Sequence, residues 1–321
     1  GVWTLEEAQM LAKQGLWPTA GNAAPRGLFA GGATASVIVN TIDFVVIDTT
    51  GNASDFGDLA SATVAGAAFS SATRGVFAGG YTSSKINVIQ YVTIATEGNT
   101  TDFGDLSAAR RNFSGLANAT RGIVGGGVSD STANLDVIEY VTTASTGNMT
   151  DFGNLTTARF LSASFGSATR GIWAGGEPVG GAGSNVIDYV TIASAGNATD
   201  FGDLEAILYG GAGVSSSTRG IVGGGWRANS DYTNVMQYVT IASTGNTTDF
   251  GDLTSTGWLL TSTANSTRGI FAGGTSGSGV KNVMDYVTIA STGNATDFGD
   301  LTSARNNLFY GMVSSAHGGL S

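Results

Sequence analysis

The sequence predicts an all-β protein of six repeated units closed into a ring, a six-bladed β-propeller with four-stranded blades, preceded by a short helix. Two markers set the number of units. The aspartates of a recurring [TS]-D-F triplet are Asp55, Asp102, Asp151, Asp200, Asp249 and Asp297, giving steps of 47 to 49 residues. The arginines of a recurring Arg-Gly pair, Arg26, Arg74, Arg121, Arg170, Arg219 and Arg268, keep the same step. Such a period, with strand-like content and no helical pattern, marks a radial or stacked β-repeat in which one unit cannot bury its faces alone. A third observation concerns closure. The repeat begins at the second strand of a unit, and Leu308 to Ser314 matches the first strand of a unit that does not continue. Pairing of these halves is expected to complete the ring and remove the sheet edges that invite aggregation.

Residues 1–25 stand outside the repeat. Thr4 followed by Glu7 is a capping-box pattern, Leu5 to Gln14 contains good helix formers, and Gly15 before Trp17-Pro18 is a stop, so a short helix and a linker are expected. So short a helix is marginal alone in water, and Trp3, Leu5, Leu11 and Trp17 are expected to dock on something. The propeller is expected over 26–321, with units starting near 26, 74, 121, 170, 219 and 268. Each opens with a strand such as Arg170-Gly-Ile-Trp-Ala that ends in a glycine pair, suited to positive φ or close backbone approach. Next comes a strand such as Val186 to Ile192, in which Val186, Val190 and Ile192 face one side while Ile187 and Tyr189 face the other. Two apolar faces fit a blade sandwiched between neighbours. GNATDFGDL then reads as a hairpin turn at Gly196-Asn197 and a short strand carrying Phe201 and Leu204. A less regular strand, such as Asn112 to Asn118, leads into the next unit.

Composition narrows the function. The 321 residues contain no cysteine, which excludes disulfides, thiolate metal sites and a cysteine nucleophile, and a single histidine, His317. A net charge of −10 with only 14 Lys plus Arg argues against nucleic acid as a partner. No apolar run is long enough to span a membrane as a helix, and no signal-peptide pattern opens the sequence. With no initiator Met, Gly1 is expected to follow processing or a longer N-terminal region. No cofactor or metal site is expected. Asn197, Asp200 and Asp203 offer oxygen ligands for calcium, but acids at alternate positions are missing, and turn-forming Asx hydrogen bonds account for the same residues.

The repeated polar residues read as scaffold: Arg74, Arg121, Arg170, Arg219 and Arg268 with Asp102, Asp151, Asp200, Asp249 and Asp297, paired as Arg170 with Asp200. The sequons at Asn99, Asn148, Asn197, Asn246 and Asn294 are a by-product of the same turn. Function is expected where the copies disagree. The loops after the glycine pairs differ (ATASVIV, YTSSKI, GVSDSTANL, EPVGGAGS, WRANSDYT, TSGSGVK), and strand alternation places them on one face with the segments after each Asp-Leu. A fixed scaffold with dissimilar loops on one rim is how a binding surface is built. Tyr81, Lys85, Trp226, Arg227 and Tyr232 are the expected ligand contacts, because aromatic faces stack on sugar rings and nearby polar groups supply direction. Trp258 reads as a core or channel-lining residue. Paired catalytic carboxylates would have to come from loop residues such as Asp130, Asp136, Glu177 or Asp231.

The order of Arg110, a strand ending in Gly79-Gly80, Tyr91 and Phe103 resembles the kelch repeat, over residues 26 to 316. The departures are specific. Phe stands where kelch repeats usually carry Trp (Phe56, Phe103, Phe152, Phe201, Phe250, Phe298), and the leading arginine of Arg110, Arg159 and Arg305 is replaced by Thr63, Leu208 and Gly257. The form TRG-[IV]-F-A-G-G followed by NVIDYVTIAS-x-GN-x-TDFGDL also resembles repeats of bacteriophage virion and tail-fibre proteins, especially of phages of marine bacteria. That resemblance implies a non-enzymatic virion component, a tail fibre or appendage. Its partners would be other virion subunits or a host-surface glycan or protein, and it would be a homo-oligomer if it follows the trimeric habit of such fibres. A secreted or surface-displayed bacterial binding module, and a propeller-type glycan-active enzyme, are the alternatives. Burial of each repeated Phe contributes roughly 1.5 to 3 kcal/mol. Phe201→Ala is therefore expected to cost about 3–5 kcal/mol in urea unfolding, and the equivalent change in any other blade a similar amount.

Overall fold

The structure is a computed structural model, described over residues 24–131, 133–227 and 231–316. Six small antiparallel sheets surround one axis, forming a six-bladed β-propeller. In the second blade the order from axis to rim is Ala67–Ser70, Arg74–Tyr81, Lys85–Thr93 and Thr101–Asp105. The first blade draws three strands from the start of the ring, Arg26–Ala30, Thr41–Val46 and Ser54–Asp58. Its inner strand comes from the far end of the repeats. Leu28 N donates to Val313 O at 3.0 Å, Ser315 N donates to Arg26 O at 2.9 Å, and Gly27 bridges Ser314 antiparallel. The expected closure is therefore present. The helix and linker expected before Arg26, and His317, lie outside the described residues.

Five of the six inner strands are buried along their length, the C-terminal one is half-buried at Gly311 and Met312, and they touch around the axis. Side-chain hydroxyls bond them to one another. Ser164 Oγ donates to Gly115 O (2.8 Å), Ser215 Oγ to Gly166 O (2.8 Å), Ser262 Oγ to Gly213 O (2.6 Å), Ser314 Oγ to Ala264 O (2.6 Å) and Ser70 Oγ to Ser314 O (3.1 Å). At the one remaining junction a Cβ on Gly115 would lie 2.6 Å from Ala68 O, so the backbones themselves meet. The C-terminal strand also reaches across the axis. Gly311, at φ +122°, bridges Gly115 in parallel, and a Cβ there would lie 2.0 Å from Ala68 O. An axial cavity between the inner strands measures about 10 Å³, room for one water.

Between blades the repeated motifs act as bolts. Each repeated arginine stacks over the third-strand aromatic of its own blade, Arg170 lying 4.7 Å above the Tyr189 ring. It then donates to a carbonyl of the next blade: Arg74 to Thr143, Arg121 to Ile192, Arg170 to Ile241, Arg219 to Ile289 and Arg268 to Ile47, at 2.8–3.1 Å. Arg26 instead pairs with Glu97 at 3.2 Å. The expected Arg170–Asp200 pair is not formed. Among the described residues none of the four ion pairs uses a [TS]-D-F aspartate, and Asp200 is exposed, because Arg170 is held by an aromatic face and a neighbouring carbonyl instead.

The Gly-Asn segment also differs from the expected hairpin turn: the glycines equivalent to Gly196 (Gly51, Gly98, Gly147, Gly245 and Gly293) lie at φ 155–159°, close to extended backbone, and Asn197 takes no positive φ. It runs extended along the outer strand of the preceding blade, Gly196 N donating to Phe152 O (2.7 Å) while Asn197 Oδ1 accepts from Asn154 N (3.1 Å). All six blades repeat this contact, which covers each outer edge. The glycine of TDFG permits it. A Cβ on Gly202, at φ +143°, would lie 2.4 Å from Gly245 O of the next blade.

Inside each blade a bulge between third and fourth strands, as at Ile187/Asp188, aims the second of these residues inward. In three blades that residue is an acid paired with a buried arginine: Arg159 with Asp188 at 2.9 Å, Arg110 with Glu139, and Arg305 with Asp43. Burial lowers the pKa of each of these guanidiniums, and the neighbouring carboxylate works against that shift. Where the arginine is replaced by Thr63 or Leu208, the acid is replaced by Gln90 or Gln237. The glutamines keep the hydrogen bond to the entering backbone (Ala60 N at 2.9 Å, Glu205 N at 2.8 Å) without a charge. The sixth blade has Gly257 with Asp285, whose carboxyl burial pushes up while bonds from Thr254 pull it down.

The chain thus contains its own control experiment. Asp188→Ala strands the Arg159 cation and is expected to cost about 3–5 kcal/mol by chemical denaturation. The double change Arg159→Leu with Asp188→Gln reproduces the fifth-blade pair and should cost less than half as much.

Candidate functional site: the axial pocket of the variable face

The loops after the glycine pairs and the segments after Asp-Leu meet on one face, joined by backbone pairing in every blade. The pairs are Ala33–Asn306, Val64–Tyr81, Arg111–Val128, Phe160–Glu177, Tyr209–Trp226 and Trp258–Thr275. One residue further each entering segment reverses through the left-handed region, at Asn307, Ala65, Asn112, Leu161, Gly210 and Leu259 (φ 51–67°). Glycine and asparagine adopt this readily, whereas Ala65, Leu161 and Leu259 do so at about 1–2 kcal/mol each. What offsets the strain is a run of five backbone bonds linking these six residues. Ala65 N donates to Asn307 O, Asn112 N to Ala65 O, Leu161 N to Asn112 O, Gly210 N to Leu161 O and Leu259 N to Gly210 O, all at 2.7–2.9 Å. Val64, Ala65, Leu161, Leu259 and Tyr310 pack beneath it as one apolar cluster.

Above this run lies an open pocket of about 310 Å³. Phe160 and Trp258 supply aromatic surface, and Arg111, Asn112, Glu177 and Asn307 supply polar groups. Trp258 belongs to a larger aromatic wall, edge-on to Tyr209 (6.2 Å) and tilted against Trp226 (5.7 Å), which in turn meets Tyr232 at 4.7 Å. Gly210 admits the indole, since a Cβ there would lie 2.2 Å from Trp258 Nε1.

The polar groups have few partners inside the protein. The half-buried Arg111 guanidinium lies over the Tyr81 ring at 4.9 Å and makes no ion pair or side-chain hydrogen bond among the described residues. Burial raises the pKa of Glu177. Tyr209 is raised too, by burial first and by the Glu177 charge second. Tyr310, fully buried and raised for the same reason, donates from its hydroxyl to Asn307 Oδ1 at 2.7 Å and so fixes that amide, leaving its nitrogen as a donor. The site can therefore stack a ring against Trp258 or Phe160 while offering a cation, a carboxylate and two amides. Among the described residues no three His, Cys, Asp or Glu converge as a metal site.

None of the five expected contact residues lines this pocket, though three back residues that do. Tyr81 supports Arg111, and Trp226 with Tyr232 backs Trp258. Arg227 pairs with Asp231 through strand backbone, and Lys85 Nζ donates to Ser129 O of the next blade's loop; neither lines the pocket. Of the loop carboxylates, Glu177 lines it, whereas Asp130, Asp136 and Asp231 do not. Sequence reasoning missed Arg111, Asn112, Phe160 and Asn307. Their signal was present: they are the two residues before each inner strand, where Val-Ala, Arg-Asn, Phe-Leu, Tyr-Gly, Trp-Leu and Asn-Asn replace one another in otherwise matching units.

The chain matches no protein-family model and no curated protein.

The raised pKa of Glu177 has a stability consequence. With the folded value above the unfolded one, ionisation of Glu177 opposes folding. Its contribution is intact below the unfolded pKa and is lost as pH rises through the folded pKa. Glu177→Gln is accordingly expected to raise the thermal midpoint at pH 7 and to leave it unchanged near pH 3, as read by circular dichroism.

Proposed function

We propose that this protein is a non-enzymatic adhesion component of a virion, a tail fibre or appendage built on kelch-like blades, which binds host-surface glycan through its variable face. The observation that carries this reading is the contrast between the two faces. One repeats the same arginine, asparagine and glycine contacts in every blade. The other holds an aromatic-walled pocket that offers a cation, a carboxylate and two amides above a run of backbone bonds. Saccharide recognition needs that combination, a flat apolar surface for the sugar ring and directional groups for its hydroxyls. The presence of a single carboxylate in the pocket lining, Glu177, supports binding over hydrolysis, since glycoside hydrolysis requires a pair flanking the bond. The virion assignment draws on the likeness of the repeats to those of phage fibres. A surface-displayed bacterial module is the second reading, and the genomic neighbourhood of the gene, tail genes or not, separates the two.

The test is a glycan array and a host-cell binding assay with the purified chain. Trp258→Ala should weaken binding on the order of tenfold while the circular dichroism spectrum stays native. Asp200→Asn on the opposite face should leave binding unchanged. Equal binding by all three proteins would place the ligand elsewhere.

A further inference from the structure

The axial pocket contains an imbalance that a neutral ligand would leave in place. Arg111 is a half-buried cation in a protein of net charge −10, where anions abound, yet no carboxylate of the described residues lies within ion-pair distance of it. Among the described residues the other arginines, Arg227 on the rim excepted, are provided for. Arg110, its chain neighbour, is paired with Glu139, and the repeated arginines each reach a carbonyl or an acid of the next blade. Arg111 alone among the six equivalent positions carries a charge, the others being Val64, Phe160, Tyr209, Trp258 and Asn306. Its guanidinium carbon lies 4.9 Å from the centre of the Tyr81 ring, and its backbone is paired with Val128. Such a cation is pre-oriented, so little side-chain entropy is lost when an anion arrives. A guanidinium presents a fork of N–H donors that matches a carboxylate in bidentate geometry.

Resting on the glycan-binding reading above, we propose that the axial pocket is selective for a carboxylated sugar residue, such as a uronic or nonulosonic acid. The carboxylate lies on Arg111, the ring stacks on Trp258 or Phe160, and the hydroxyls are shared by Glu177, Asn112 and Asn307. The two charged groups of the pocket then have separate tasks. Arg111 takes the acid of the ligand, and Glu177, a hydrogen-bond acceptor when ionised, takes hydroxyl protons. A pocket of about 310 Å³ lies at the lower end of the range for small-molecule sites and suits one sugar residue at the end of a chain rather than the interior of a long polymer.

The experiment is calorimetric titration of the full chain with methyl glucuronide, N-acetylneuraminic acid and, as the neutral comparison, methyl glucoside, at low ionic strength. At least one of the two acidic sugars is expected to bind on the order of tenfold more tightly than methyl glucoside, and added salt should erode that preference. Arg111→Gln should abolish the preference while leaving weak, Trp258-dependent binding. Arg227→Gln, a change at a rim arginine outside the pocket lining, should preserve it. Arg111→Lys should restore part of it, which distinguishes loss of charge from a packing defect at Tyr81. Equal affinity for glucoside and both acids, or a preference that survives in Arg111→Gln, overturns the carboxylate assignment and leaves the glycan-binding reading standing. Absence of binding by all three sugars, together with a blank glycan array, overturns both.

Discussion

Everything in this molecule depends on how closely six inner strands approach one axis. Their backbones are near enough for a serine or threonine hydroxyl of one blade to reach the carbonyl of the next, and at the second–third junction nothing larger than glycine fits between them. That closeness packs the centre, where a cavity between the strands has space for a water. It also dictates what happens above. Chains entering so tight a ring must reverse within one residue, which is why six left-handed residues stand in a circle. It is also why three of them, Ala65, Leu161 and Leu259, tolerate a conformation that L-residues avoid. The floor of the axial pocket is therefore a product of central packing, stiff because five of the six residues donate their N–H to a neighbour.

The blades are geometrically alike but electrostatically varied. A charge buried inside a blade is tolerable only with its counterion and enough hydrogen bonds, and neutral isosteres of both partners serve as well. Arg159 with Asp188 and Leu208 with Gln237 are two solutions of one problem in one chain. In both, the acceptor oxygen caps the backbone that enters the blade, so the fold requires the hydrogen bond and not the charge. Charge is instead spent on the outside: exposed aspartates repeat on one face, and the opposite face carries Arg111, which lies over Tyr81 and makes no ion pair among the described residues.

Much of the architecture was legible in the chain. The six-fold recurrence of [TS]-D-F and Arg-Gly, the two-sided apolar third strand and the complementary ends of the repeat specify the number of blades and their closure, since a sheet with two apolar faces must be sandwiched and an open ring would leave edges. The separation of a variable face from a repetitive one was also readable, because strand alternation alone assigns loops to sides. Pairing partners were not readable. Arg170 and Asp200 recur with the same period and have opposite charge, but periodicity states only that a contact is repeated, not which contact it is. The arginine found an aromatic ring and a carbonyl of the next blade instead.

The pocket shows the same division most clearly. Arg111, Phe160 and Trp258 are separated by about one period each or two, and Glu177 sits in yet another loop; nothing local relates them. Their convergence follows from rotation about the propeller axis, which brings equivalent positions of successive units to one circle. By itself the sequence determined the repeat, its strands, its closure and the side on which variation falls, because these follow from local periodicity and from the need to bury two faces of every blade. Which variable residues meet over the axis, and which charges are left without partners there, was decided only by the tertiary structure, because both depend on the radius of the inner ring and on contacts between blades that no single unit contains.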